Sequence, residues 1–234
     1  FLPIKTLPNM GLGTIAIAFD FQGPNLVVGP FANQGAMALD LARSAIEQGD
    51  ADVCLVAGGD APFNLMTVST LLALGVLDGR DLPHLGLHDP ANAGLILGEG
   101  GVALVLERAE AVAARGGRAY AIPGPLWMAS GEGDGQGPTT DRAALDHVLT
   151  RAFADALPDL VLAEGCGLPA VDRLEAAAIA AAAPGVRMGS AKPQVGAWPG
   201  AGFLLEAAHA ALAVSAGGWP GPAVGRAAVV GVDL

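Results

Sequence analysis

Ala51-Asp52-Val53-Cys54-Leu55-Val56-Ala57-Gly58-Gly59-Asp60-Ala61 decides the fold class. Its apolar run, 53–57, stopped by Gly58-Gly59, has the pattern of a strand buried on both faces. A helix over 35–48 precedes it, because Leu39, Ala42 and Ile46 fall on one helical face and Gly49 is the stop. Further back, Val27-Val28 lies between Gly23-Pro24-Asn25 and Gly29-Pro30 and reads as a short buried strand. Downstream, a helix is expected over 63–74 and a strand over 102–106, after Gly98-Glu99-Gly100-Gly101. The second half echoes this order. A short strand at Tyr120-Ala121-Ile122 leads into a Gly/Pro-rich surface loop over 131–138, then a helix over 141–156 capped by Asp141. A strand over 160–163, helices over 171–183 and 201–214, and a closing strand over 227–232 complete the chain. Strand and helix alternating twice predicts an α/β protein of two pseudo-repeated halves, 1–108 and 109–234, joined near 107–118.

Composition narrows the function. Hydrophobic residues make up 52% and charged ones 15% of the 234 residues, which predicts an extensive core and excludes disorder. Twelve Lys+Arg against 23 Asp+Glu leave a net charge of −11, an argument against nucleic acid or an anionic membrane surface as partner. Two cysteines, Cys54 and Cys166, are too few for a disulfide scaffold and too far apart for a zinc ribbon, so a reducing cytoplasm is the expected compartment. No uninterrupted apolar run reaches about eighteen residues, so no membrane span is predicted. The opening Phe-Leu-Pro carries no signal-peptide pattern and looks like a trimmed start.

The chemistry-bearing residues have plain readings first. Cys54, in mid-strand, reads as core. His84 and His88 are four apart, but Pro83, Gly86 and Pro90 break any helix that would align them on a metal, so an exposed loop is expected. Glu99, between glycines, is expected in a buried ion pair or hydrogen bonds, with Lys192 a candidate partner. The glycines of 131–137 lack the Lys-Ser/Thr of a phosphate loop. Phe63, Met66 and Leu71 read as core packing, with an acyl channel as the alternative.

Five stretches in order together resemble the ketosynthases of the thiolase-like fold. They are Leu7-Pro8-Asn9-Met10 with Gly23-Pro24-Asn25, the 51–61 stretch, Asp89…Gly94…Gly98-Glu99-Gly100-Gly101, Ser190-Ala191-Lys192, and Gly196…Gly200-Ala201-Gly202. The resemblance implies a layered αβαβα fold of two pseudo-repeated halves, here abbreviated at the N-terminus. Ketosynthases use a Cys nucleophile at a helix N-terminus and two His that hold a thioester carbonyl. By the resemblance the nucleophile position is Ala32. The first His, in an HGTGT motif followed by a spaced Asp and Glu, corresponds to Glu164 in Glu164-Gly165-Cys166-Gly167-Leu168…Asp172…Glu175. The second His corresponds to Ala197, and only Lys192 of the usual polar set is retained.

A kept scaffold with a lost nucleophile resembles the chain length factors, the silent partners of type II polyketide ketosynthases, and those found with bacterial aryl polyene ketosynthases. The similarity is closest over 162–175 and at Ser190-Ala191-Lys192-Pro193. Many such factors carry Gln at the nucleophile position; here Gln34 stands two residues beyond it. The resemblance implies no cofactor, no metal and no condensation chemistry. It implies an active ketosynthase as heterodimer partner, engaged through Val27, Val28 and Phe31, and an acyl carrier protein met only through that partner. Phe63 and Met66 are then the tunnel candidates. Two rival readings are a stand-alone thioester hydrolase or malonyl decarboxylase using Cys166 and Glu164, and a purely structural ketosynthase partner.

Overall fold

The computed structural model describes residues 7, 9–29, 33–78, 86–131, 141–218 and 225–230. Phe31 and Ala32, His84, most of the 131–138 loop and the end of the closing strand lie outside the described residues. The first half holds α1 (Asn9–Ala18), α2 (Gln34–Gln48), β1 (Val53–Asp60), α3 (Leu65–Ala73), β2 (Gly100–Glu107) and α4 (Ala109–Ala114). The second holds α5 (Arg142–Ala152), β3 (Leu160–Leu162), α6 (Pro169–Ala182), β4 (Arg187–Gly189), α7 (Lys192–Val195), α8 (Gly202–Ala216) and β5 (Ala227–Val229).

Local signals place most boundaries. Gly49 stops α2 in the left-handed region at φ 85°, where its lack of a Cβ costs nothing. Asn64 caps α3 by accepting from the Thr67 amide, and Asp141 caps α5 by accepting from Ala143 and Ala144. α5 ends at Ala152, short of the expected 156, with Phe153 as its C-cap at φ −104°.

The second sheet is parallel, in the order β4-β3-β5, with α6 and α8 as crossovers. Alternation along β3 sends Leu160 and Leu162 to Ala210 and Ala213 of α8. Val161 and Ala163 face Leu149 and Phe153 on one side of the cluster and Ala178 and Ile179 of α6 on the other. The first sheet is an antiparallel pair, running from Val53↔Glu107 to Asp60↔Gly100. Leu39 of α2 and Leu204 of α8 cover the face that carries Val56, Val102, Leu104 and Leu106. The layers thus run sheet, α2 with α8, sheet, α5 with α6.

Three strand expectations are corrected. β1 is buried on one face only: Val53 is 54% exposed and Val105, paired with Leu55, is 67% exposed, since no described element lies over that side. Cys54 is accordingly half-buried, not core. Val27-Val28 forms no strand, and Val27 is exposed, because no described segment of this chain pairs with it. Tyr120-Ala121-Ile122 is not a strand either; Ile122 is 86% exposed, outside both sheets.

Candidate functional site

Beyond β3 the chain turns sharply through Glu164-Gly165-Cys166-Gly167 before α6 begins at Pro169. Gly165 and Gly167 sit at φ 49° and 82°, a backbone that favours glycine. Two carboxylates on the first turns of α6 reach back to hold this turn. Asp172, 2% exposed, accepts from the Gly167 amide at 3.2 Å and from the Cys166 thiol at 3.5 Å. Glu175, 1% exposed, accepts from the Glu164 amide at 2.8 Å and the Gly165 amide at 2.9 Å. Carboxylates near a helix N-terminus are favoured by the backbone dipoles there.

Lys192, at the start of α7 and buried, donates from Nζ to the Glu164 carbonyl at 2.6 Å and pairs with the Glu164 carboxylate. Burial pushes the Glu164 carboxyl above its usual range while the Lys192 ammonium pulls the other way. Ala197 is buried beside them; its amide donates to the Ile96 carbonyl at 2.7 Å, and Leu97 bridges to it. Glu164, Lys192 and Ala197, assigned by resemblance, are therefore brought together. Cys166, Lys192, Ala197, Gly94 and Asn92 line a cavity of about 40 Å³ between them, room for roughly one water. A wider open groove of about 340 Å³, at 157–159 and 183–187, shares no residue with it.

Several expectations meet a different geometry. Lys192 pairs with Glu164 and not with Glu99, whose side chain is exposed at the start of β2. The glycines flanking Glu99 serve close approach instead: a Cβ at Gly98 would strike the Val195 carbonyl, and one at Gly100 the Trp198 ring. Cys166 is 4% exposed, and burial, with Asp172 and Glu164 adding to it, pushes its thiol far above the ordinary range. Such a thiol is no ready nucleophile. His88 is not a loop residue in solvent: its Nε2 lies 2.8 Å from Glu175 Oε2. Among the described residues no three His, Cys, Asp or Glu are grouped to hold a metal. Phe63 and Met66 are 60% and 80% exposed, so they are not core.

One buried and one half-buried carboxylate escaped the sequence reading. Glu206 of α8, 1% exposed, accepts from Ser190 Oγ at 2.7 Å and the Ala191 amide at 2.8 Å, fixing the Lys192 segment. The signal was a lone acid inside the otherwise apolar Gly202–Ala216 helix. Asp60, at the end of β1, accepts from the Gly200 and Ala201 amides and ties the first sheet to the start of α8.

Residues 1–111 match the family model for the beta-ketoacyl synthase N-terminal domain. A polyketide beta-ketoacyl synthase 1 of Streptomyces halstedii is 32% identical over 180 residues, 74% of this chain and 43% of the relative. A protein of the same name from Streptomyces cyaneus is 30% identical over 220 residues, 89% of this chain and 52% of the relative. The 3-oxoacyl-(acyl-carrier-protein) synthase 2 of Rhizobium meliloti is 28% identical over 230 residues, 92% and 53% of the two chains. The chain spans about half the length of these curated relatives. A ketosynthase solved with its type II polyketide acyl-carrier protein superposes with a TM-score of 0.75 at 21% identity, over 88% of this chain and 54% of that one. The ishigamide ketosynthase/chain length factor superposes with a TM-score of 0.64 at 27% identity, over 78% of this chain and 46% of that one. The layered sheets and these matches agree: residues 1–111 belong to the beta-ketoacyl synthase family, and the chain has its thiolase-like fold.

Proposed function

We propose that this chain is a non-catalytic, chain-length-factor-like subunit that pairs with an active ketosynthase and shapes its acyl tunnel in bacterial polyketide or polyene synthesis. The observation that carries the reading is the Glu164–Lys192 pair. Where the resemblance puts a carbonyl-holding His stands a carboxylate, and it occupies the ammonium of Lys192. An anionic group at that place repels the negative charge that develops on a thioester oxygen during condensation. The methyl of Ala197 offers no donor at the other His position, and the adjoining cavity holds about one water, far less than an acyl thioester.

In this reading the partner owns the nucleophile and receives the carrier's tethered thioester, and this chain meets the far end of the acyl chain. The segment leading to Phe31 docks on the partner; the exposure of Val27 in the single chain supports that role. The exposed Phe63 and Met66 are the tunnel residues. An obligate pair buries more than about 2,000 Å², so the isolated chain is expected to self-pair or to be poorly soluble. The hydrolase reading loses support with the buried, hard-to-ionise Cys166.

The test is copurification with a Cys-containing ketosynthase, followed by exposure of the complex to a reactive acyl thioester. An adduct on the partner and none on Cys54 or Cys166 is expected. A stable monomer that ignores the ketosynthase, or a stoichiometric adduct at Cys166 lost in Cys166→Ser, would overturn the proposal. Phe63→Ala and Met66→Ala should change product length; unchanged products favour a purely structural partner.

A further inference from the structure

His88 has a backbone φ of 55°, in the left-handed region that residues with a Cβ seldom occupy. Its side chain is only 10% exposed and meets Glu175, which no other described side chain pairs with. Glu175 Oε1 accepts from the Glu164 amide, and Oε2, the oxygen that meets His88, also accepts from the Gly165 amide. The 86–94 loop that bears His88 closes on the same turn a second time, where the Gly94 amide donates to the Gly167 carbonyl at 3.0 Å. Leu87 fills the space a side chain at Gly165 would need. Two segments far apart in sequence, the 86–94 loop and the 164–167 turn, thus meet on one carboxylate.

We propose that His88 is a positioning residue: by donating Nε2–H to Glu175 it holds that carboxylate against the Glu164 and Gly165 amides, and so seats the Glu164 side chain on Lys192. The charged groups around it are Glu175 and Asp172 on α6, Glu164 in the turn, Lys192 on α7, Glu206 on α8 and the neighbouring Asp89. Without the His88 donor, Glu175 keeps its two backbone donors, but Oε2 is left with the Gly165 amide alone and the carboxylate loses its side-chain partner. Gly167 is held separately by Asp172 and should not feel the change. The inference concerns the chain's own geometry and stands whether or not a ketosynthase partner exists.

Hydrogen exchange of the full chain, resolved to single amides, tests it. His88→Leu should lower protection at Glu164 and Gly165 about tenfold or more, with Gly167 changing by less than about threefold. His88→Gln, whose amide can still donate to Glu175, should restore protection to within about threefold of the original. Competitive acetylation gives a second readout, with Lys5, the only other lysine, as reference within the chain. His88→Leu should raise the Lys192-to-Lys5 labelling ratio, and His88→Gln should return it. If His88→Leu does not fold, the unsubstituted chain decides: the His88 Nε2 proton should be a slowly exchanging resonance, and a rapidly exchanging one refutes the clamp. Unchanged protection at Glu164 and Gly165, or an equal loss at Gly167, also overturns it.

Discussion

Leu55 in β1 and Leu162 in β3 are both mid-strand leucines in apolar runs, yet the first is 36% exposed and the second fully buried. The difference comes from what crosses over each sheet. Parallel pairing in the second half obliges the chain to return through α6 and α8, and helices end up against both faces. β1 and β2 pair antiparallel, and α2 and α8 both lie on one side of them. The same kind of sequence is therefore core in one sheet and surface in the other. The candidate site belongs to the covered half: Glu164 sits in the turn after β3, and Asp172, Glu175, Lys192 and Glu206 in the first two turns of α6, α7 and α8.

Substitution at the two leucines is the harshest way to break the comparison. Leu162→Asp puts an unpaired charge in a site with no exposure and should cost more than about 4 kcal/mol, read by urea denaturation. Leu55→Asp should change the stability of the isolated chain by less than about 0.5 kcal/mol. An equal loss at Leu55 would show that its face is covered in solution. Lys192→Met comes next, stranding the Glu164 carboxylate, at a cost of about 3–5 kcal/mol.

The pH dependence sharpens the contrast further. Glu164 and Asp172 are both raised, chiefly by burial. An acid whose folded value lies above its unfolded one favours folding most below the ordinary carboxylate range, and that contribution is lost as pH climbs through the raised value. The chain should lose stability as pH rises above the ordinary carboxylate range, and Glu164→Gln should flatten the slope. Glu107 and Asp159 are lowered, the first by its hydrogen bond to Arg115 and the second by the Arg226 and Gly225 amides, so they act in the opposite sense, as pH falls. Asp159 is exposed, and the half-buried Glu107 pairs with an exposed arginine, so solvent screens both and their effect should be the weaker one.

The smallest effect concerns the surface. Arg118 donates to Ser215 and lies over the Tyr120 ring, on a chain of net charge −11. Carriers of acyl chains are typically acidic, and in the proposed geometry they dock on the partner. Arg118→Glu should leave carrier affinity of the complex within about twofold, while reversal of a basic residue at the partner's entrance should weaken it, more so at low salt. Arg80, the other candidate for this test, lies outside the described residues.

What the sequence determined by itself was local or compositional. The Gly49 stop, the Asp141 cap and the apolar run of β1 could be read from neighbouring residues, because caps and turns depend on little else. Tertiary structure decided which faces are covered and which charges meet. Lys192 chose Glu164 over Glu99 because the turn after β3 delivers Glu164 to the start of α7, while β2 carries Glu99 outward. His88 reaches Glu175 across 87 residues of chain, and Glu206 looked like an ordinary helical acid until α8 was laid against Ser190 and Ala191. A buried charge takes whichever partner packing brings within hydrogen-bond reach, and spacing along the chain carries no record of that choice.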